Sequence, residues 1–159
     1  MKRIAFFPVA IIITFCCFSC ASTPTSGTVN LGIYDVSVPA EESCILEIPR
    51  FIRIKRFDLK DVDWFTQAYD QLKNRKWYTI QIPAGTRLFH FDITAGGYTE
   101  QLKDAWILEA GKTYVMDGDL GRAYYGQGFA FFTDKQTGTR AEILSNMDRD
   151  ELSLEIQKR

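Results

Sequence analysis

Three cysteines stand within six positions in "FCCFSCAS", residues 15–22: Cys16, Cys17 and Cys20. Thiols so close together can hold a metal, pair as disulfides or accept a covalent group. The fourth cysteine, Cys44, lies alone in the body of the chain. A four-cysteine zinc site draws pairs from two separated segments, and Cys44 has no local mate. A disulfide framework would spread its cysteines through the domain. Processing or modification of one cysteine is the chemistry left. The single histidine, His90, argues against histidine-dependent triads and multi-histidine metal centres. No metal site and no catalytic residues are expected.

The cysteines follow a signal-like segment. Met1-Lys2-Arg3 is basic, and Ile4 to Phe18, "IAFFPVAIIITFCCF", is uncharged and mostly apolar. As a helix this run rises roughly 22 Å at 1.5 Å per residue, short of a hydrocarbon core of about 30 Å. Pro8 would disturb it further. A basic start, a short apolar middle and small residues at the end make a signal-peptide helix. "STPTSGT" follows without a positive stop-transfer cluster. The other readings are a retained anchor and a buried strand.

At this point the stretch resembles a bacterial lipoprotein signal, the lipobox. Ser19 is the small residue before the cut and Cys20 the cysteine behind it. Ala21 and Ser22 follow. Cys16 is too bulky to precede a cleaved Cys17, and Phe15 before Cys16 is worse. The departure is Cys17, where the family has leucine three residues before the cysteine. It fits the looser pattern of spirochaetes. The resemblance implies cleavage between Ser19 and Cys20, with diacylglycerol and an N-acyl chain as the covalent group on Cys20. One buried acyl chain holds a protein only reversibly, and three would hold it stably. The implied address is the cell envelope, with the outer membrane favoured because Ala21 is not the aspartate of inner-membrane retention. Ordinary signal-peptidase cleavage, releasing a soluble β domain, is the rival.

Composition limits what the body can be. Of 159 residues, 46% are hydrophobic and 14% aromatic, enough for a packed core and too many for pervasive disorder. Loss of residues 1–19 removes Lys2 and Arg3 and takes the formal net charge from -1 to -3. A nucleic-acid partner, which would need a basic field, is not expected. The expected organisation is a signal peptide over 1–19, a lipidated cysteine and flexible Ser/Thr/Pro/Gly tether over 20–28, and a β-sandwich over 29–159.

From Val29 the hydrophobic period is two. "NLGIYDVSVP", "CILEIP", "FIRIKRFD", "WYTIQIP" and "RLFHFDIT" each alternate, placing Ile52 and Ile54, then Tyr78, Ile80 and Ile82, then Phe89, Phe91 and Ile93 on buried faces. Pro39, Pro49 and Pro83 end their runs, where a missing ladder donor does least harm. "IQIPAGTRLFHF" and "WILEAGKTYVMD" share a frame in which Ala84-Gly85 and Ala110-Gly111 turn the chain, as a hairpin or a strand corner. One segment departs from this. In "DVDWFTQAYDQLKNRKW", Val62, Phe65, Tyr69 and Leu72 recur at helical spacing, with acids early and bases late. The fold class is therefore mainly β, an antiparallel sandwich with one short helix. "FAFFTDKQTGTRAEIL" reads as a hairpin about Lys135–Gly138. "NMDRDELSLEIQKR" permits strand or helix, and the alternation of Leu152, Leu154 and Ile156 tilts the reading to a final strand. "SVPAEESCILEIP", "VDW", "YTIQIPAGTRLFHFD" and "AWILEAGKTYVM" resemble uncharacterised spirochaete-like lipoproteins with a β-sandwich, over roughly residues 35–117. That resemblance implies no activity.

The remaining candidates are surface contacts. Arg50, Arg53, Lys55 and Arg56 could form an anion-binding stripe for headgroups, an anionic glycan or an acidic partner. Alternation with Ile52 and Ile54 also suits a solvated strand face. Tyr124 and Tyr125 in "GRAYYGQG" could touch glycan or peptide, or plug a link. Asp58, Asp61 and Asp63 lack the glycine and terminal glutamate of a calcium loop. Cys44 shares parity with Leu46 and Ile48 and reads as a small buried hydrophobe. The expected role is structural or binding, toward an envelope protein or glycan, with the membrane reached through the lipid. The chain is not expected to be an enzyme; a small periplasmic enzyme or enzyme inhibitor is the alternative.

Overall fold

The computed structural model describes residues 27–95, 97–119 and 129–158. Ser19 and Cys20 lie outside this set, and so do Tyr124 and Tyr125. The strands are β1 (Thr28–Ile33), β2 (Ser43–Pro49), β3 (Ile52–Phe57), β4 (Lys60–Asp61), β5 (Trp77–Pro83), β6 (Gly85–Ala95), β7 (Tyr98–Leu108), β8 (Thr113–Asp119), β9 (Phe129–Asp134) and β10 (Glu142–Ile143). They form two five-stranded sheets, ordered β1-β5-β2-β8-β9 and β10-β7-β6-β3-β4. The protein is mainly β and sandwich-like, as the alternation predicts.

The second sheet is antiparallel throughout. The first is mixed: β1 runs parallel to β5, and β2 runs parallel to β8. A wholly antiparallel sandwich was too simple an expectation. Four of the five strands of the second sheet, β3, β4, β6 and β7, lie between β2 and β8 in the chain, so the direction of return is set by that excursion rather than by a tight hairpin.

The two Ala-Gly turns are the corners that make the excursion. Ala84-Gly85 carries the chain from β5 in the first sheet to β6 in the second, and Ala110-Gly111 carries it back from β7 to β8. Gly85 has φ 104° and Gly111 φ 75°, conformations that side chains resist. Both near-repeats are therefore strand corners and neither is a hairpin.

Parity puts the predicted residues inside. Cys44, Leu46 and Ile48 of β2, Tyr78, Ile80 and Ile82 of β5, and Phe89, Phe91 and Ile93 of β6 are all buried in one core. Cys44 is a free thiol, and burial pushes its pKa up to about 12. It is inert filler.

Three local expectations need correction. First, the strand read over "NLGIYDVSVP" stops at Ile33, after an irregularity between Asn30 and Ile33 with Gly32 at φ 85°. Second, the helical segment folds as α1 (Trp64–Tyr69) followed by a 3-10 turn (Gln71–Asn74). Its buried face is Trp64, Ala68 and Leu72, while Tyr69 is exposed. The indole of Trp64, packed against Phe57 and Tyr34, sets that rotation. Third, the tail is not a strand but a helix, α2 (Asn146–Gln157). Ser145 caps it: its Oγ accepts the Asp148 N–H at 3.3 Å and donates to the Asp148 carboxylate at 2.6 Å. The hairpin about Lys135–Gly138 survives as one bridge, Thr133 to Arg140, before the chain crosses to β10 beside β7.

A strained turn joins β3 to β4. Phe57 pairs with Lys60, so Asp58 and Leu59 are the central residues, at φ 47° and 64°. Such a hairpin favours Asn-Gly, and "FDLK" offers no glycine. The Asp58 carboxylate compensates by accepting the Leu88 N–H at 3.0 Å and Arg87 Nη1 at 2.9 Å. Arg87 Nη2 in turn donates to the Ala84 carbonyl at 2.7 Å, tying the turn to the sheet-crossing corner. Asp58→Ala should lower the unfolding free energy by about 2 kcal/mol in urea titrations, and Asp58→Asn by less, because asparagine tolerates the left-handed backbone.

Candidate functional site

The outward face of the second sheet carries a cleft of about 650 Å³. Its position follows from the core. Phe89 and Phe91 point inward, so His90 and Asp92 between them point out. Across β7, His90 pairs with Lys103 and Asp92 with Gln101. Across β3, Arg53 pairs with Asp92 and Arg56 with His90. All of these residues line the cleft.

A bulge brings the third cation in. Ile54 pairs with Phe91 and Arg56 with His90, which leaves Lys55 without a partner on β6. Strict alternation after Ile54 would turn Arg56 inward and Phe57 out. The extra residue resets the phase, so Phe57 is buried and Arg56 exposed. Arg53, Lys55 and Arg56 thereby share one face of the sheet with Lys103. The predicted stripe is thus a real grouping for Arg53, Lys55 and Arg56. Arg50 is not part of it: it lies in the turn between β2 and β3.

Two carboxylates temper the field. Arg56 Nε donates to Asp61 at 2.7 Å, and Lys55 lies 3.7 Å from Asp92. Lys103 is steered by α2, with Nζ 3.3 Å from Ser153 Oγ and 3.7 Å from Asp150. Arg149 of the same helix donates to the Lys103 carbonyl at 2.6 Å and to Asp104 at 3.2 Å. Burial pushes the Asp104 carboxyl above the usual range, and Arg149 opposes that rise. Arg53 has no ion pair among the described residues and lies over the Phe65 ring, 5.5 Å from its centroid. Four full positive charges, on Arg53, Lys55, Arg56 and Lys103, thus face three negative ones, Asp61 and Asp92 in the lining and Asp150 beside Lys103.

His90 sits at the centre of these cations. Its Nε2 is buried without a hydrogen-bond partner among the described residues. Burial lowers its pKa, and Lys103, Arg56 and Arg149 lower it further. A neutral imidazole wedged among cations is a place where an incoming anion gains twice: it meets the field directly, and it favours protonation of the ring. The chemistry available is therefore capture of an anion.

Asp58, Asp61 and Asp63 do not converge: Asp58 is spent on Arg87 and Leu88, and Asp61 on Arg56. Among the described residues no group of three or more histidine, cysteine or acidic side chains could hold a metal ion. Neither His90 nor Lys103 stands out as a site residue from composition or motif. The Gly-Gly of "TAGGYTEQLK" is the signal that would have found the pair. Ala95 pairs with Tyr98, and counting back along that hairpin sets His90 opposite Lys103. No protein-family model, curated protein or solved structure matches the chain.

The His90 ring, followed by proton NMR, should titrate below the ordinary histidine value of about 6.5. Sulfate should move that midpoint upward, because a bound anion stabilises the protonated ring. A midpoint at the ordinary value, unmoved by sulfate, would contradict the geometry.

Proposed function

We propose that this chain is a lipid-anchored cell-envelope protein with a binding role, and that the cleft around His90 takes an anionic partner group. The anchor rests on the order of basic start, apolar run, Ser19 and Cys20 in the sequence. The binding role rests on one observation: Arg53, Lys55, Arg56 and Lys103 converge on a cleft lined by His90, whose Nε2 has no hydrogen-bond partner among the described residues. Cations held this way by a bulge and a helix are pre-positioned, which lowers the entropy lost on binding. An acidic protein segment or an anionic glycan of the envelope carries matching groups. Arginine's planar fork suits carboxylate, sulfate and phosphate alike.

Two measurements test the two halves. Metabolic palmitate labelling should mark the wild type, and Cys20→Ser should abolish the label. Label that survives Cys20→Ser would contradict anchoring at this residue. For binding, a photo-crosslinker at Arg53 in living cells should yield a discrete adduct that Lys103→Glu removes. The same crosslinker at Gln136, in the turn after β9, should not yield it. Identical adducts from both positions would contradict a binding role for the cleft.

A further inference from the structure

Three strands come into register at one end of the sandwich. Thr28 opens β1 and pairs with Trp77, which opens β5, and Trp77 pairs with Pro49, which closes β2. The Arg50 N–H donates to the Lys76 carbonyl at 2.9 Å, and the Lys76 N–H donates to the Gly27 carbonyl at 3.2 Å. Arg75 Nη1 donates to the Thr28 carbonyl at 2.7 Å. The point where the chain enters the fold is thus ringed by Arg50, Arg75 and Lys76, all exposed.

Aromatic residues share this end. Phe51 follows Arg50 in the turn and is 37% exposed. The Thr94 N–H donates to the Phe51 carbonyl at 2.9 Å, which brings the β6–β7 hairpin to the same end, where Tyr98 is 65% exposed. Asp119 ends β8 at this same end, while Glu100 and Asp117 lie further back along their strands.

The opposite end differs in kind. There Lys112 is paired with Glu109 at 2.8 Å and Asp134 at 3.3 Å, and Lys135 is paired with Glu47. Arg50, Arg75 and Lys76 carry no ion pair among the described residues. Unpaired cations interleaved with aromatic rings are the composition of a protein surface that meets lipid headgroups.

We propose that this end, with Arg50, Arg75, Lys76, Phe51 and Tyr98, docks on an anionic lipid surface and holds the sandwich upright on the membrane. The proposal rests on the anchoring reading for its setting: eight residues from Cys20 to Thr28 reach at most about 29 Å. That reach exceeds the roughly 23 Å rise of the seven-residue β5, so an acylated Cys20 brings the sandwich to the headgroups and the cations and rings of this end select which end meets them. The cleft on the side of the second sheet is then left open to partners within the envelope.

The test uses protein expressed from the full chain in a bacterium and extracted from its membranes. Mass spectrometry of the N-terminal peptide first decides whether Cys20 is acylated, which tests the anchoring reading by itself. A fluorophore is placed at Tyr98→Cys or Gln136→Cys; the buried Cys44 does not compete. Acylated protein is reconstituted in vesicles of phosphatidylcholine with about 30 mol % phosphatidylglycerol and a nitroxide-headgroup quencher. The label at 98 should be quenched several-fold more than the label at 136. About 0.5 M sodium chloride should collapse that difference, and so should Arg50→Glu/Lys76→Glu. The double variant leaves the Arg75 bond to Thr28 intact and should keep the wild-type near-ultraviolet circular dichroism. Equal quenching at both ends in acylated wild type overturns the proposal. If Cys20 carries no acyl group, the anchoring reading fails, and docking is decided by cosedimentation of the released protein. Retention on phosphatidylglycerol vesicles, weakened at least about fivefold per charge reversed, supports it, and no retention overturns it.

Discussion

The contact on which the fold depends is aromatic and joins the two sheets. Phe89 of β6 packs against Phe57 at 5.3 Å, Trp106 at 5.5 Å and Phe132 at 5.3 Å, measured between ring centroids. Phe132 belongs to the first sheet and meets Trp106 edge-on at 4.9 Å. All four rings are fully buried. Rings of this size supply much of the buried apolar area, and the edge-to-face pairs, Phe89 with Phe57 and Trp106 and Trp106 with Phe132, add about 1 kcal/mol each. Because a strand alternates with a period of two, fixing Phe89 inward fixes Leu88 and His90 outward. Slipping β6 by one residue would bury His90 and Asp92 and expose Phe89, Phe91 and Ile93 together. The core contact therefore sets the face on which the cleft forms.

The cleft arises where local rules are broken. The bulge at Lys55 interrupts the alternation, and the Asp58-Leu59 turn adopts left-handed backbone without glycine. Both lie in the β3–β4 hairpin that forms one wall. Deviations of this kind persist only where the surroundings hold them, and they gather at functional sites. Here the hold is visible. Asp58 is clasped by Arg87 and Leu88, and Val62 donates its N–H to the Lys55 carbonyl at 2.9 Å. The other wall depends on α2, whose Arg149 and Ser153 engage β7 and Lys103. Leu88 and Ala105 are also buried although they face away from the core, on the side where α2 contacts the sheet. α2 thus covers that face and holds Lys103 from behind, without lining the cleft itself.

How much of this was legible in the sequence depends on the range of the interaction. Strands such as "CILEIP" and "WYTIQIP" announce themselves because their burial pattern is local, and Cys44 was placed correctly by parity alone. Ala84-Gly85 and Ala110-Gly111 were legible as turns because positive φ demands glycine. Their part as corners between sheets was not, since pairing partners lie far away in the chain. The bulge was illegible for the same reason: only the register of β3 against β6 shows that Lys55 is extra. Two signals were present but not weighed. "SNMD" is a capping sequence in which Ser145 accepts the Asp148 N–H, and it outranks the short alternation of Leu152, Leu154 and Ile156. The Gly-Gly in "TAGGYTEQLK" fixes the hairpin register that sets His90 beside Lys103. Period-two alternation suits a solvated face and an anion-binding stripe equally; only the register of β3 against β6 shows that Arg53, Lys55 and Arg56 converge and that Arg50, in the turn, does not join them.

The central claim is that the cleft captures an anion, and it is tested most directly by locating one. Crystals soaked in selenate, a heavier sulfate analogue, and measured at the selenium edge should show an anomalous peak in the cleft. The peak should lie beside His90, within hydrogen-bond reach of Arg53 or Lys103. A cleft without that peak, while selenate binds elsewhere on the protein, would contradict the account.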